Sequence, residues 1–94
     1  MENETVKPMI PTVHMNGNSA QSLLEELHDG IVLIKTAQEA LASMDVAHGR
    51  NWYPQGDGAT TKAREEHFAR IRKLAEVRKE LEAIAEGVYQ QKRK

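Results

Sequence analysis

Apolar residues recur every three or four positions along two long stretches of this chain, the pattern of amphipathic helices. In residues 19–44 the row consists of Leu24, Leu27, Ile31, Ile34, Gln38 and Leu41. In residues 61–90 it consists of His67, Ile71, Leu74, Arg78, Leu81, Ala85 and Val88. The pattern predicts an all-α fold, a long antiparallel helical hairpin with a connection at residues 45–60.

The chain before the first helix has the composition of an extended arm. Pro8 and Pro11 prevent a regular helix in residues 1–18. Ser19 is a good N-cap residue, so the first helix is expected to start there. Gly30 lies inside that helix, where glycine costs about 0.8–1 kcal/mol against alanine, so it indicates a close approach by a neighbour or a kink.

Two polar residues interrupt the apolar row of the second helix. The favoured interpretation of His67 is a buried or half-buried ring satisfied by a neighbour, with a metal or catalytic role as the alternative. For Arg78, a hairpin that folds about Tyr53 predicts an ion pair with Asp29, and a ligand contact is the alternative.

Both predicted helices are long, at about 40 Å each, and their apolar faces are broader than one partner helix covers. Two helices cannot enclose a core by themselves. We therefore expect a symmetric oligomeric bundle, a dimer or higher. One arrangement of such a bundle packs the N-terminal arm across a neighbouring chain.

Composition limits the possible functions. The 94 residues correspond to one small domain without cysteine, and the start of the chain is acidic rather than a signal sequence. No stretch reaches the roughly 20 apolar residues of a membrane span. Together these features predict a cytoplasmic protein that does not contact a membrane.

Charge is distributed unevenly over the two helical halves. Residues 19–45 carry a net charge of −4 and residues 46–94 a net charge of +4. This balance does not favour duplex DNA, and it suits solvated helix faces or head-to-tail contacts between chains. Residues 91–94 form a basic tail.

Catalytic chemistry has little support in the sequence. Glu65, Glu66 and His67 are adjacent, so on a helix they point to different faces and do not converge. The four histidines are scattered over separate elements, without metal-ligand spacing. We expect a binding protein that is not an enzyme and that needs neither a metal nor a cofactor.

The connection is the strongest candidate for a binding site. It is longer than a helical hairpin requires and contains Trp52 and Tyr53, which can stack on a base. The following helix begins with the cations Lys62 and Arg64, where acidic residues are usual, so an anion is expected there. The predicted ligand-binding residues are Arg50, Asn51, Trp52, Tyr53, Gln55, Thr60, Lys62 and Arg64, with His14 and Asn16 from a neighbouring arm.

Three interpretations of this connection remain open. It holds a small phosphate-containing nucleotide or a short single strand, it packs its aromatic residues as a plug on the end of the bundle, or it contacts another protein. The glycines at positions 56 and 58 match neither a phosphate loop nor a dinucleotide-binding turn.

Three segments, at residues 11–17, 51–56 and 63–67, resemble those of small proteins encoded in bacteriophage genomes. The plan of an arm with a histidine followed by a helical hairpin is similar to that of the phage sponge proteins that sequester the cyclic oligonucleotides of CBASS and Thoeris defences. The arms of those proteins often carry a Tyr-His pair, where this chain has Val13 and His14. The resemblance implies an anti-defence protein in the infected bacterial host that binds a nucleotide signal between chains without cleaving it. The alternative is a helical module that docks on a host or phage protein through its basic second helix.

Overall fold

The computed structural model describes residues 7–92, and every regular element within that range is helical. Helix α1 spans Ala20–Ala42, the short helix α2 spans Gly49–Trp52, a 3₁₀ turn spans Tyr53–Gln55, and helix α3 spans Ala59–Lys92. Helices α1 and α3 pack against each other as an antiparallel hairpin. The all-helical class and the long extended hairpin predicted from the sequence are therefore confirmed.

The helix boundaries differ from the predicted ones by small amounts. Ser19 is the N-cap of α1, and its hydroxyl accepts a hydrogen bond from the Ser22 amide at 3.0 Å. Helix α1 ends at Ala42 rather than at residue 44. Helix α3 extends the predicted range 61–90 by two residues at each end, so the first half of the predicted tail is helical. The remaining tail residues, 93 and 94, and arm residues 1–6 lie outside the described range.

The hairpin is long and thin, with extents of 61 × 28 × 18 Å. Its radius of gyration is 18.7 Å, against the roughly 12 Å expected for a compact domain of this length. Among the described residues, only Ala63, His67 and Val88 are buried, and Val88 alone is fully so. One hairpin thus leaves most of its apolar side chains half-buried or exposed.

Gly30 lies where the two helices approach each other. The side chain of Leu81 passes over it, and a Cβ added at Gly30 would lie 3.7 Å from Leu81 Cδ1. Helix α1 is continuous through this point. Of the two expectations for Gly30, the structure shows an approach at ordinary van der Waals distance, which would also accommodate an alanine.

Residues 7–18 pack along the end of α3 that is far from the connection. Ile10 lies on Gly87, so closely that a Cβ there would be 2.7 Å from Ile10 Cγ2. The Gln91 side chain accepts a hydrogen bond from the Val13 amide at 2.8 Å and donates one to the Pro11 carbonyl at 2.8 Å. The described part of the arm therefore packs on its own chain.

The expected ion pair between Arg78 and Asp29 is wrong. Arg78 Nε donates to Gln38 Oε1 at 2.9 Å, and its Nη1 pairs with Glu82 at 2.9 Å. Helical side chains lean toward the N-terminus of their own helix. In an antiparallel pair, Arg78 and Gln38 lean toward each other, whereas Asp29 leans away.

Candidate functional site

The connection is a folded unit rather than an open loop. His48 caps helix α2, with its Nδ1 accepting a hydrogen bond from the Arg50 amide at 3.1 Å. Because Nδ1 accepts, the neutral ring carries its proton on Nε2. The 3.4 Å approach of the Arg50 guanidinium to Nε2 is then a contact between two donors, so it adds no hydrogen bond.

Trp52 ties the end of helix α2 to the start of the connection. Its indole N–H donates to the Val46 carbonyl at 2.7 Å, and its ring is half-buried. Gly56 and Gly58, at φ of 109° and 88°, then turn the chain into α3. Both glycines adopt left-handed backbone angles that other residues rarely adopt. This arrangement corresponds to the plug interpretation of Trp52, although one edge of the ring remains open to a cleft.

That cleft is the place where predicted site residues meet. It has a volume of about 210 Å³ and is lined by Trp52, Gln55, Ala59, Lys62, Ala63 and Glu66. Three predicted residues, Trp52, Gln55 and Lys62, thus share one surface. Glu66 was not predicted, although it lies one turn after Lys62 and so must share its face. The cleft therefore combines one cation and one carboxylate beside an aromatic edge.

Arg64 does not join Lys62 in this cleft. Residues two positions apart on a helix are separated by about 200° around its axis, so they face opposite sides. Arg64 instead lines a second cleft of about 420 Å³ between the end of α1, the connection and α3. No residue pattern in the sequence predicted this cleft. The other lining residues are Ala42, Met44, Asp45, Ala47, His48, Gly49, His67, Phe68 and Ile71.

The remaining predicted site residues are dispersed. Asn51 is exposed, and Tyr53 is 69% exposed. Thr60 lies against Gly49, with its Oγ1 3.8 Å from where a Cβ on that glycine would be. These residues surround the connection without converging on one point.

His14 and Asn16 lie at the opposite end of the molecule. The Asn16 amide donates to His14 Nδ1 at 3.3 Å, within the turn that follows the arm. Lys62 and Gln91 are 29 positions apart on α3, a distance of about 43 Å at 1.5 Å per residue. Within one chain, therefore, the arm residues and the cleft cannot contact the same small ligand.

The surroundings of His67 correspond to the interpretation favoured from the sequence, a buried ring that a neighbour satisfies. The ring is 7% exposed, and its Nε2 lies 2.6 Å from the Leu41 carbonyl oxygen in the last turn of α1. Carbonyls in the last turn of a helix lack partners within the helix, and the Leu41 carbonyl also accepts a hydrogen bond from the Met44 amide, beyond the helix, at 3.2 Å. His67 therefore ties the end of α1 to α3.

Neither a metal site nor a membrane-spanning helix is found within residues 7–92. No group of three or more histidine, aspartate or glutamate side chains is placed to hold a metal ion in this range. None of its helices is long and apolar enough to cross a membrane.

Comparison with known proteins gave no relative. The chain matches no protein-family model, no curated protein and no solved structure.

Proposed function

We propose that this protein acts by binding rather than by catalysis, as a helical interaction module that packs its hairpin against apolar helices of another protein chain. The observation that carries the proposal is the scarcity of buried residues. Within residues 7–92 only three side chains are buried, while Leu33 and Val77 are 68% and 46% exposed. Helices of such length obtain their stability mainly from packing of an apolar face.

The exposed apolar residues favour a helical partner. The exposed residues Leu33 and Ala37 follow Gly30 at helical spacing, and the exposed Val77 lies two turns from the half-buried Ile84 on α3. Such rows present ridges and grooves that accept the side chains of another helix. Contiguous apolar surface of this kind is the usual mark of a protein interaction site.

Photo-crosslinking from single positions tests the module. A crosslinkable residue replaces Leu33 on the apolar row of α1, and the matched control replaces Lys35, which is exposed on the other side of α1. We expect a discrete adduct above 10.6 kDa from position 33 in living cells and none from position 35. Equal adducts from both positions, or none from either, would contradict the proposal.

A second candidate function is the binding of a phosphate-containing nucleotide, as in the phage sponge proteins, whose plan of an arm followed by a helical hairpin is similar. The specific observation in its favour is the cleft shared by Trp52, Gln55 and Lys62. An aromatic edge, an amide and an ammonium group are the groups that contact a base and its phosphate. At about 210 Å³ the cleft is smaller than the roughly 300 Å³ at which ligand pockets begin, so a second chain has to complete it.

Thermal shift against cyclic di- and trinucleotides tests this candidate. A nucleotide at 100 times its Kd stabilises the folded protein by about 2.7 kcal/mol, which raises the Tm by several degrees. We expect Lys62→Glu to abolish the shift and Lys79→Glu, an exposed control on α3, to retain it. No shift with any nucleotide, or an unchanged shift in Lys62→Glu, would eliminate this function while leaving the interaction module intact.

A further inference from the structure

One flank of the hairpin carries an apolar surface that the arm covers only in part. At the arm's end of this flank, a cleft of about 280 Å³ is lined by Pro11, Leu23, Glu26, Leu27, Gly30, Leu81 and Ile84. Leu33 lies one turn beyond Gly30, and Val77 lies two turns before Ile84, both toward the connection. Residues at these spacings share a helix face, so Leu33 and Val77 extend the same flank past the arm.

Leu33 and Val77 also lie at about the same level along the hairpin. The packing of Leu81 over Gly30 and the bond between His67 and Leu41 fix the register of the two helices. In an antiparallel pair with this register, the numbers of two residues that lie opposite each other add up to about 110. Leu33 and Val77 fulfil that condition, and their side chains are 68% and 46% exposed; we call these two residues the apolar patch.

The surface area left exposed is comparable to that of a stable interface. The chain exposes 7237 Å², whereas a compact monomer of its 10.6 kDa exposes about 5,500 Å². The exposed area of the chain exceeds that of a compact monomer by about 1,700 Å², and a standard protein interface buries about 800 Å² on each partner. The chain as a whole therefore exposes enough surface for a full interface.

The charges of the two helices indicate what covers the patch. Helix α1 has four acidic residues and one basic residue, a net charge of −3, and helix α3 has eight basic and six acidic residues, a net charge of +2. Two copies packed flank to flank with α1 on α3 bring opposite charges together. Packing α1 on α1 brings like charges together.

From this complementarity we propose that the partner is a second copy of the chain, packed about a two-fold axis parallel to the helices. Helix α1 of each copy runs antiparallel to α3 of the other, and Leu33 of one copy lies on Val77 of the other. The inference rests on the proposed interaction module, for which it names the partner. The product is a four-helix bundle with two symmetric Leu33 and Val77 contacts.

Disulfide trapping tests the arrangement without background, because the sequence contains no cysteine. Mixed Leu33→Cys and Val77→Cys chains should form a disulfide-linked heterodimer on mild oxidation. The control mixture, Leu33→Cys with Glu76→Cys, should form it at least tenfold less, because position 76 points about 100° away from position 77. Equal trapping of both mixtures, or a dominant Leu33→Cys homodimer, would overturn the α1-on-α3 arrangement.

Sedimentation of the full chain tests the partner itself. We expect twice the mass of 10.6 kDa for the wild type, and a Kd at least tenfold higher for Leu33→Lys. Since Leu33 is 68% exposed, Leu33→Lys should keep the circular dichroism spectrum of the folded chain. If the wild type is still a monomer at about 100 micromolar, the Kd of the dimer is above about 10⁻⁴ M. That result would overturn the proposal that the partner is a second copy. If position 33 still crosslinks to a different protein in cells, the interaction module survives that result, and if it crosslinks to nothing, both proposals fail.

Discussion

At the scale of single residues, two glycines of this hairpin differ in the space that their neighbours leave for a side chain. Gly30 leaves ordinary van der Waals space for a methyl group beneath Leu81, whereas Gly87 has Ile10 directly against it. Both are in helices, where glycine is less favourable than alanine for the same backbone reason. Substitution by alanine therefore separates a glycine without a packing role from one that makes room for the arm.

Gly30→Ala is expected to raise the free energy of unfolding. The helix gains about 0.8–1 kcal/mol from alanine, and the added Cβ meets Leu81 Cδ1 at 3.7 Å, without a clash. Urea unfolding at a fixed chain concentration measures the change. A decrease in stability would mean that Leu81 packs more tightly on Gly30 than this distance implies.

Gly87→Ala is expected to detach the arm while leaving the hairpin folded. The new Cβ would lie 2.7 Å from Ile10 Cγ2, so Ile10 must move away. Hydrogen exchange at the Val13 amide, which donates to Gln91 in the wild type, reports the release as loss of protection. Gly30→Ala is the matched control, and unchanged protection of Val13 in Gly87→Ala would show that the arm adapts to the methyl group.

At the scale of elements, the long helices were predictable because their information is local. The three-and-four spacing of Leu27, Ile31 and Ile34 indicates a helix whatever the chain does elsewhere, and Ser19 marks its start. The interior of the connection was not predictable in the same way. A four-residue helix capped by His48 has too few positions to show a period, and histidine is not among the usual N-cap residues.

The candidate site was partly predictable from the same local geometry. Lys62 and Glu66 are one turn apart and share a cleft, whereas Lys62 and Arg64 are two positions apart and line different clefts. The spacing of these residues along a helix is sufficient to predict which of them share a cleft. The meeting of Trp52 with Lys62 depends on how the connection folds back, and this long-range step is not encoded in any short pattern.

The connection itself should be sensitive to its tryptophan. Trp52→Phe retains an aromatic ring and removes the indole N–H that donates to the Val46 carbonyl. We expect a loss of about 0.5–1.5 kcal/mol in the free energy of unfolding, the usual value of one hydrogen bond. Urea titration measures it, with Tyr53→Phe at an exposed position as the control. Equal effects of the two substitutions would show that the indole bond does not hold the connection together.

At the scale of the whole molecule, one hairpin is a poor candidate for an independently stable domain. Its 61 Å length and 18 Å smallest extent give much surface for little interior, and small chains already bury a low fraction of their surface. Where folding is linked to association, stability depends on chain concentration. The observed shape is consistent with the expectation that one hairpin buries too little surface by itself. The oligomeric bundle stays a prediction.

The Tm should accordingly rise when the chain concentration is increased from 1 to 100 micromolar. An associating chain gains about 1.4 kcal/mol for each tenfold increase in concentration of its partner, which amounts to several degrees for a domain of this size. Calorimetry or circular dichroism at several concentrations measures the shift. A Tm independent of concentration would indicate that the single hairpin is stable by itself.

The contact between Gln91 and the arm determines which substitutions the hydrogen bonds between them tolerate. The Gln91 side chain bonds the Val13 amide and the Pro11 carbonyl, which are main-chain atoms. Since every residue other than proline has both groups, recognition of the arm here does not depend on the exposed Thr12 side chain between them. A change at position 12 therefore leaves these two bonds in place, whereas a change at Gln91, near the end of helix α3, removes both.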